Sequence, residues 1–327
     1  MPRPETNPTH ESATGGRGQG SAAPSPRPRC WLSLIALMSL ALTAACAAPK
    51  PIHDVSPDRL RVEIARDVTA LSKHSVVVPH EISEETFAFI HSRVDDLDDP
   101  SRGARALLRL LFDEQYVGLE YAWGETQTGD LTVRSGRGNC LSLAAVLVGT
   151  ARRYSGAARY IEVLDRPERR EEGDLQIWAS HIAVLLPSVD GPLIVDFRGT
   201  VSEDGSIRFR RLGDRDLIAH YYNDKGYELI RRARDDGRAA PWQAAAGLFT
   251  IAAEIDPDLS RAWNNLGVAL ARLGDLSGAD IAYRHALRTR SSYLERATAE
   301  NLISLELRRL GPAPTASRPP MQSPEND

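Results

Sequence analysis

The chain has 327 residues, enough for one domain of ordinary size and a smaller companion. Its 42% hydrophobic and 26% charged residues exclude a wholly disordered or multi-span membrane protein. With 40 basic against 44 acidic residues, a net charge of −4, there is no positive surplus for a nucleic-acid interface.

Residues 1–29 are rich in Pro, Gly, Ser and Thr and hold no apolar run, so a disordered leader is expected there. The apolar stretch Trp31–Ala45 follows Arg27 and Arg29 and has the length of a signal-peptide core, making 30–46 an export signal. It ends in Leu42-Thr43-Ala44-Ala45-Cys46, which resembles the lipobox of bacterial lipoproteins, with Thr43 where that motif has an aliphatic residue. The resemblance implies that Cys46 is acylated and becomes the first mature residue. The protein is then held at the cell envelope, facing the periplasm or exterior, by its lipid alone. A plain cleaved signal peptide is the alternative. Removing the four Arg and two Glu of residues 1–45 leaves 36 basic against 42 acidic residues, a net −6, which again disfavours nucleic acid. Cys30 departs with the signal and Cys46 is consumed by lipid, so Cys140 is left with no disulfide partner.

Three amphipathic segments, 58–73, 83–97 and 101–115, read as helices; in the last, Ala104, Leu107, Leu108, Leu111 and Phe112 share a face. Asp95, Asp96, Asp98 and Asp99 lack the spacing of a calcium loop and read as a solvated helix end; no metal or cofactor is expected. From Tyr116 to Arg137 five glycines, counting Gly138 just beyond, break up any helix, so loop with at most one short strand is expected. Cys140 then opens the apolar run Leu141–Ala151, a buried helix ending at Arg152, Arg153 and Gly156. Residues 158–164, 181–186 and 192–197 read as strands, with Ser188–Gly191 as a turn. Helices followed by an antiparallel sheet make an α+β domain over 58–220.

A cysteine at a helix start meets unpaired N–H groups and the positive end of the macrodipole, a setting that favours an anion. Catalysis also needs a base and a group to orient it. If the strands around residues 188–191 pair as a hairpin with residue numbers summing to about 379, His181 faces Arg198 and Asp196 is its diagonal neighbour on the same face. Asp196, between Val195 and Phe197, would need a partner there. Taken by spacing alone, Cys140 and His181 are more often core residues than catalytic ones, and Asp196 could merely cap the strand end or pair with Arg198. Trp123 and Trp178 could line an acyl-binding groove, but they stay outside the catalytic set because an aromatic beside a sheet is more often core.

The segments Arg137-Gly138-Asn139-Cys140-Leu141-Ser142-Leu143-Ala144, Trp178-Ala179-Ser180-His181-Ile182-Ala183-Val184 and Ile194-Val195-Asp196-Phe197 resemble the transglutaminase-like superfamily of papain-type thiol folds. The resemblance covers about residues 115–200. It implies a Cys140–His181–Asp196 triad acting as a hydrolase or acyltransferase on amide bonds of a peptide or protein.

Downstream, Trp263-Asn264-Asn265-Leu266-Gly267 with Ala279, Tyr283 and Ala286 resembles the tetratricopeptide signature. A shift of 34 residues meets Ala245, Phe249 and Ala252, with extra residues around 235–241 in that copy, whose first helix should begin near Tyr222. A partial third copy, 299–310, would cap the array. Repeats are thus expected over 221–310 and a disordered tail over 311–327. The array either braces the domain before it or binds a protein partner. The rival to the enzyme is a non-catalytic envelope scaffold that works through those repeats.

Overall fold

A computed structural model describes residues 55–310 apart from 73–74, 95–102, 155, 173–174, 189–190, 199, 203–206 and 290–293. The expected leader, export signal, Cys46, acidic run 95–99 and tail lie outside the described residues. All described residues belong to one compact unit, Pro51–Asp327. Among them no helix is long and apolar enough to cross a membrane.

The fold is α+β. Three short helices lead: α1 (Pro57–Asp67), α2 (Glu84–His91) and α3 (Ala104–Phe112), each shorter than its expected span. Ser56 and Ser83 fix the first two starts by accepting the N–H groups of Arg59 and Thr86. The two-residue strands β1 (Glu120–Tyr121) and β2 (Arg137–Gly138) pair in parallel around helix α4 (Gly129–Ser135). That helix corrects the expectation of loop. Its glycines sit at its ends: Thr128 caps the N-terminus by accepting Leu131 N–H, and Gly136, at φ 73°, takes the left-handed C-cap position.

Helix α5 (Cys140–Arg153) is buried from Leu141 to Ala151. The sheet beside it has order β6-β5-β4-β3-β7 and is antiparallel throughout, from β3 (Arg159–Glu172), β4 (Leu175–Leu186), β5 (Leu193–Asp196), β6 (Thr200–Ser202) and β7 (Phe209–Leu212). β3 and β4 run well past their expected bounds because the charged outer half of β3 pairs with Leu175–Ala179 of β4, from Glu168↔Ala179 to Glu172↔Leu175. Apolar periodicity is blind to such a ladder.

Five helices complete the chain: α6 (Asp214–Asp235), α7 (Trp242–Ile255), α8 (Ser260–Leu273), α9 (Leu276–Arg288) and α10 (Glu295–Leu310), each packed against the next. A glycine-to-ring contact recurs between these helices. Gly226 on α6 lies against Phe249 on α7, and Gly267 on α8 against Tyr283 on α9, each so closely that a Cβ would come within 2.5 Å of the ring. The first helix of the array begins at Asp214, eight residues ahead of its expected start. The expected domain boundary at 220/221 therefore falls inside α6. Leu217, Ile218, Ala219, Tyr221 and Tyr222 of that helix share one core with α5 and with Ala252, Ile255 and Ala262 of the array.

Candidate functional site

Asn139 fixes where α5 begins. Its carbonyl Oδ1 accepts the Ser142 N–H at 3.0 Å and the Ser142 hydroxyl at 2.9 Å, while its amide donates to Thr126 Oγ1 at 2.9 Å. Cys140 is thereby set in the first turn, half-buried, with its thiol free of any disulfide. The preceding loop is gripped from α6. Arg231 donates to Gly124 O at 3.1 Å and Lys225 to Thr126 O at 3.2 Å. Gly124, at φ 73°, admits the Arg231 guanidinium where a Cβ would stand 2.8 Å from it.

His181 comes from β4, at the last ladder pair before the β3–β4 register shifts between Val163 and Glu168. Such irregularities raise the local twist and re-aim a side chain. The β4–β5 register is the expected one: Val184↔Val195, Leu185↔Ile194 and Leu186↔Leu193 all sum to 379. It brings Asp196 to the imidazole, and His181 Nε2 lies 2.5 Å from Asp196 Oδ1 with both side chains buried. The same oxygen accepts the Arg198 N–H at 3.0 Å, and the Arg198 side chain, 3.6 Å from Asp196, also faces Glu168. Asp196 takes Nε2, and Cys140 lies close enough to act on the imidazole as well.

Burial by itself would lower the His181 pKa. The Asp196 carboxylate and Cys140 outweigh it and raise the imidazole to about 9. Burial would likewise raise Asp196, but the imidazole hydrogen bond, the Arg198 N–H and the nearby positive charge bring it down to about 2. At neutral pH the pair is therefore imidazolium and carboxylate. The structure thus brings the three candidate residues Cys140, His181 and Asp196 together. No group of three His, Cys, Asp or Glu suited to holding a metal occurs among the described residues.

Cys140 opens onto a cavity of about 530 Å³. Trp123 and Trp178, set aside as core aromatics, line it beside the thiol, and each carries an arginine over its ring: Arg170 at 4.0 Å and Arg169 at 5.7 Å from the centroids. Its other walls come from the five following helices, mostly from α6 (Asn223, Asp224, Tyr227), α8 (Arg261, Asn265) and α10, with Trp242 of α7 and Tyr283 of α9. Burial holds the Asp224 carboxyl above its usual pKa, against the pull of Arg261 and of hydrogen bonds from Asn223 and from Asn139, the cap of the cysteine helix. Sequence reasoning missed these contributors because the repeats had been treated as a separate module. The one available signal was the run of polar side chains, Asn264 and Asn265 with Asn301, in first helices where packing alone asks for none. No family model and no curated protein matches the chain.

Proposed function

We propose that this protein is a cysteine-dependent hydrolase or acyltransferase acting on amide bonds of a peptide or protein. In this reading its first part is a transglutaminase-like thiol domain, its helical part a tetratricopeptide-type array, and Cys46 its lipid anchor to the cell envelope. The observation that carries it is the buried His181–Asp196 pair at 2.5 Å with Cys140 close enough to act on the same imidazole.

The chemistry follows from that arrangement. Cys140 sulfur attacks the acyl carbon, and the thiol proton resides on His181 Nδ1. The carbonyl oxygen takes up the negative charge beside the first turn of α5, whose leading N–H groups point out of the helix. As the tetrahedral adduct collapses, the C–N bond breaks and the imidazolium gives its proton to the departing amine. A thioester remains. Water or an amine then attacks it while His181 takes the incoming proton, and collapse releases acid or new amide with the thiol restored. Asp196 keeps Nε2 protonated and the ring aligned throughout.

The test is the pH dependence of iodoacetamide labelling at Cys140 in the full chain, read by peptide mapping, with and without His181→Ala. Rapid labelling at about pH 6, well under the free-thiol pKa of about 8.5, and its loss in the variant are expected. Slow labelling indifferent to the imidazole would overturn the enzyme reading and leave a protein-binding array.

A further inference from the structure

Thiol and repeats face one cavity, and the inner surface of the array forms much of its wall. Most of the array's share of the lining comes from α6, α8 and α10, which are joined by side-chain amides, with Trp242 and Phe249 of α7 and Tyr283 of α9 adding to the wall. Asn265 donates to Asn223 Oδ1 at 2.9 Å, and Thr298 and Asn301 both donate to Asn264 Oδ1 at 3.1 Å. These bonds orient the amides without exhausting them. Asn265 Oδ1, Asn301 Oδ1 and one or both hydrogens of Asn264 Nδ2 are left over among the described residues.

A primary amide held in this way carries donor and acceptor in the same spacing as a peptide group. It therefore complements a polypeptide main chain whatever side chains that chain bears. Three helices 8–10 Å apart span roughly 16–20 Å, the length of five or six extended residues at ~3.3 Å each. Apolar side chains at Ile177, Trp178 and Val268 line the same cavity and offer contacts for the side chains of a bound strand. Lining charges of both signs, Asp224 and Glu300 with Arg261 and Arg308, suit neither a polyanion nor a polycation.

We infer that α6, α8 and α10 bind the substrate of the thiol site itself, an extended polypeptide segment held through its main chain, with the scissile amide at Cys140. This rests on the proposed thiol chemistry and makes the array half of the substrate cleft.

The experiment measures alkylation of Cys140 in the full chain by Ala/Ser peptides of one to eight residues. One series carries an N-terminal bromoacetyl group, a second a C-terminal chloromethyl ketone, and a third replaces the residues by sarcosine, which has no main-chain N–H. Each rate is divided by that for iodoacetamide, so changes in thiol reactivity cancel. One of the first two series should gain about tenfold or more by five or six residues and then level off, and the sarcosine series should stay flat. Ser304→Trp, on exposed α10 at the far end of the groove, should move the plateau to shorter peptides. Asn265→Ala should lower it.

Rates independent of length in both peptide series would overturn the inference, and so would an equal gain with sarcosine. A thiol that proves unreactive defeats the chemical reading alone. Quenching of indole fluorescence by acetyl-capped peptides of the same lengths still reads the cleft, through Trp123, Trp178 and Trp242 in its wall.

Discussion

Two side chains with opposite titration shifts hold the centre of the site, and their linkage to stability has a definite sign. His181 is raised to about 9 in the folded chain, so the stability it contributes is complete below about pH 6.5 and is lost as pH rises through about 9. Asp196 is lowered to about 2; its contribution is complete above about pH 3.8 and is lost as pH falls through about 2. Urea midpoints of wild type and His181→Gln, compared from about pH 5 to about pH 10, should differ most at the acid end and converge above 9. A gap that does not change with pH would mean that the pair carries no charge of its own. Cys140, His181 and Asp196 are legible as a set only through the resemblance of the three segments that carry them, because a single Cys or His in an apolar run is more often core. Asp224, Lys225 and Arg231 left no such trace. They reach the site from some 85 to 107 positions along the chain, and their spacing in α6 is that of any solvated helix face.

At the level of elements, apolar periodicity located α5 and the cores of β3, β4 and β5, because those segments alternate or run apolar against the main core. It failed where one strand of a ladder is a run of charges, as in the outer half of β3, and where glycine terminates a helix instead of interrupting it, as at Gly136 of α4. The array shows the opposite use of glycine. Gly267→Ala gains helix propensity, but its Cβ would meet the Tyr283 ring at about 2.5 Å, and the net loss should be about 1–3 kcal/mol. Gly247, exposed on α7 with nothing within 4 Å of a Cβ, should respond to the same substitution with a gain of about 0.5–1 kcal/mol. Denaturant titration of the two variants separates the cases, and equal effects would mean that the Gly267–Tyr283 contact does not form.

On the scale of the whole molecule, the division into two modules is the part of the sequence reading that the fold revises. Composition and repeat phasing change near residue 221, which is why a boundary suggested itself there. Burial does not follow that change, since Ile218 and Tyr222 on α6 belong to one core with Leu141 and Val148 of α5 and with Ala252 and Leu259 of the array. Unfolding should accordingly be a single calorimetric transition with matching calorimetric and van't Hoff enthalpies. Two resolved transitions would restore the modular view. The same helix limits how such a chain can be recombined. A breakpoint before Asp214 strips α5 of its cover and deprives the loop at Gly124 of Arg231, whereas one after Asp235 takes the first inner helix away from the repeats. Chimaeras that exchange helices α7 to α10 for foreign ones should therefore keep residues 214–235 native, and the incoming helices must be matched to α6 and not to the α+β part before it.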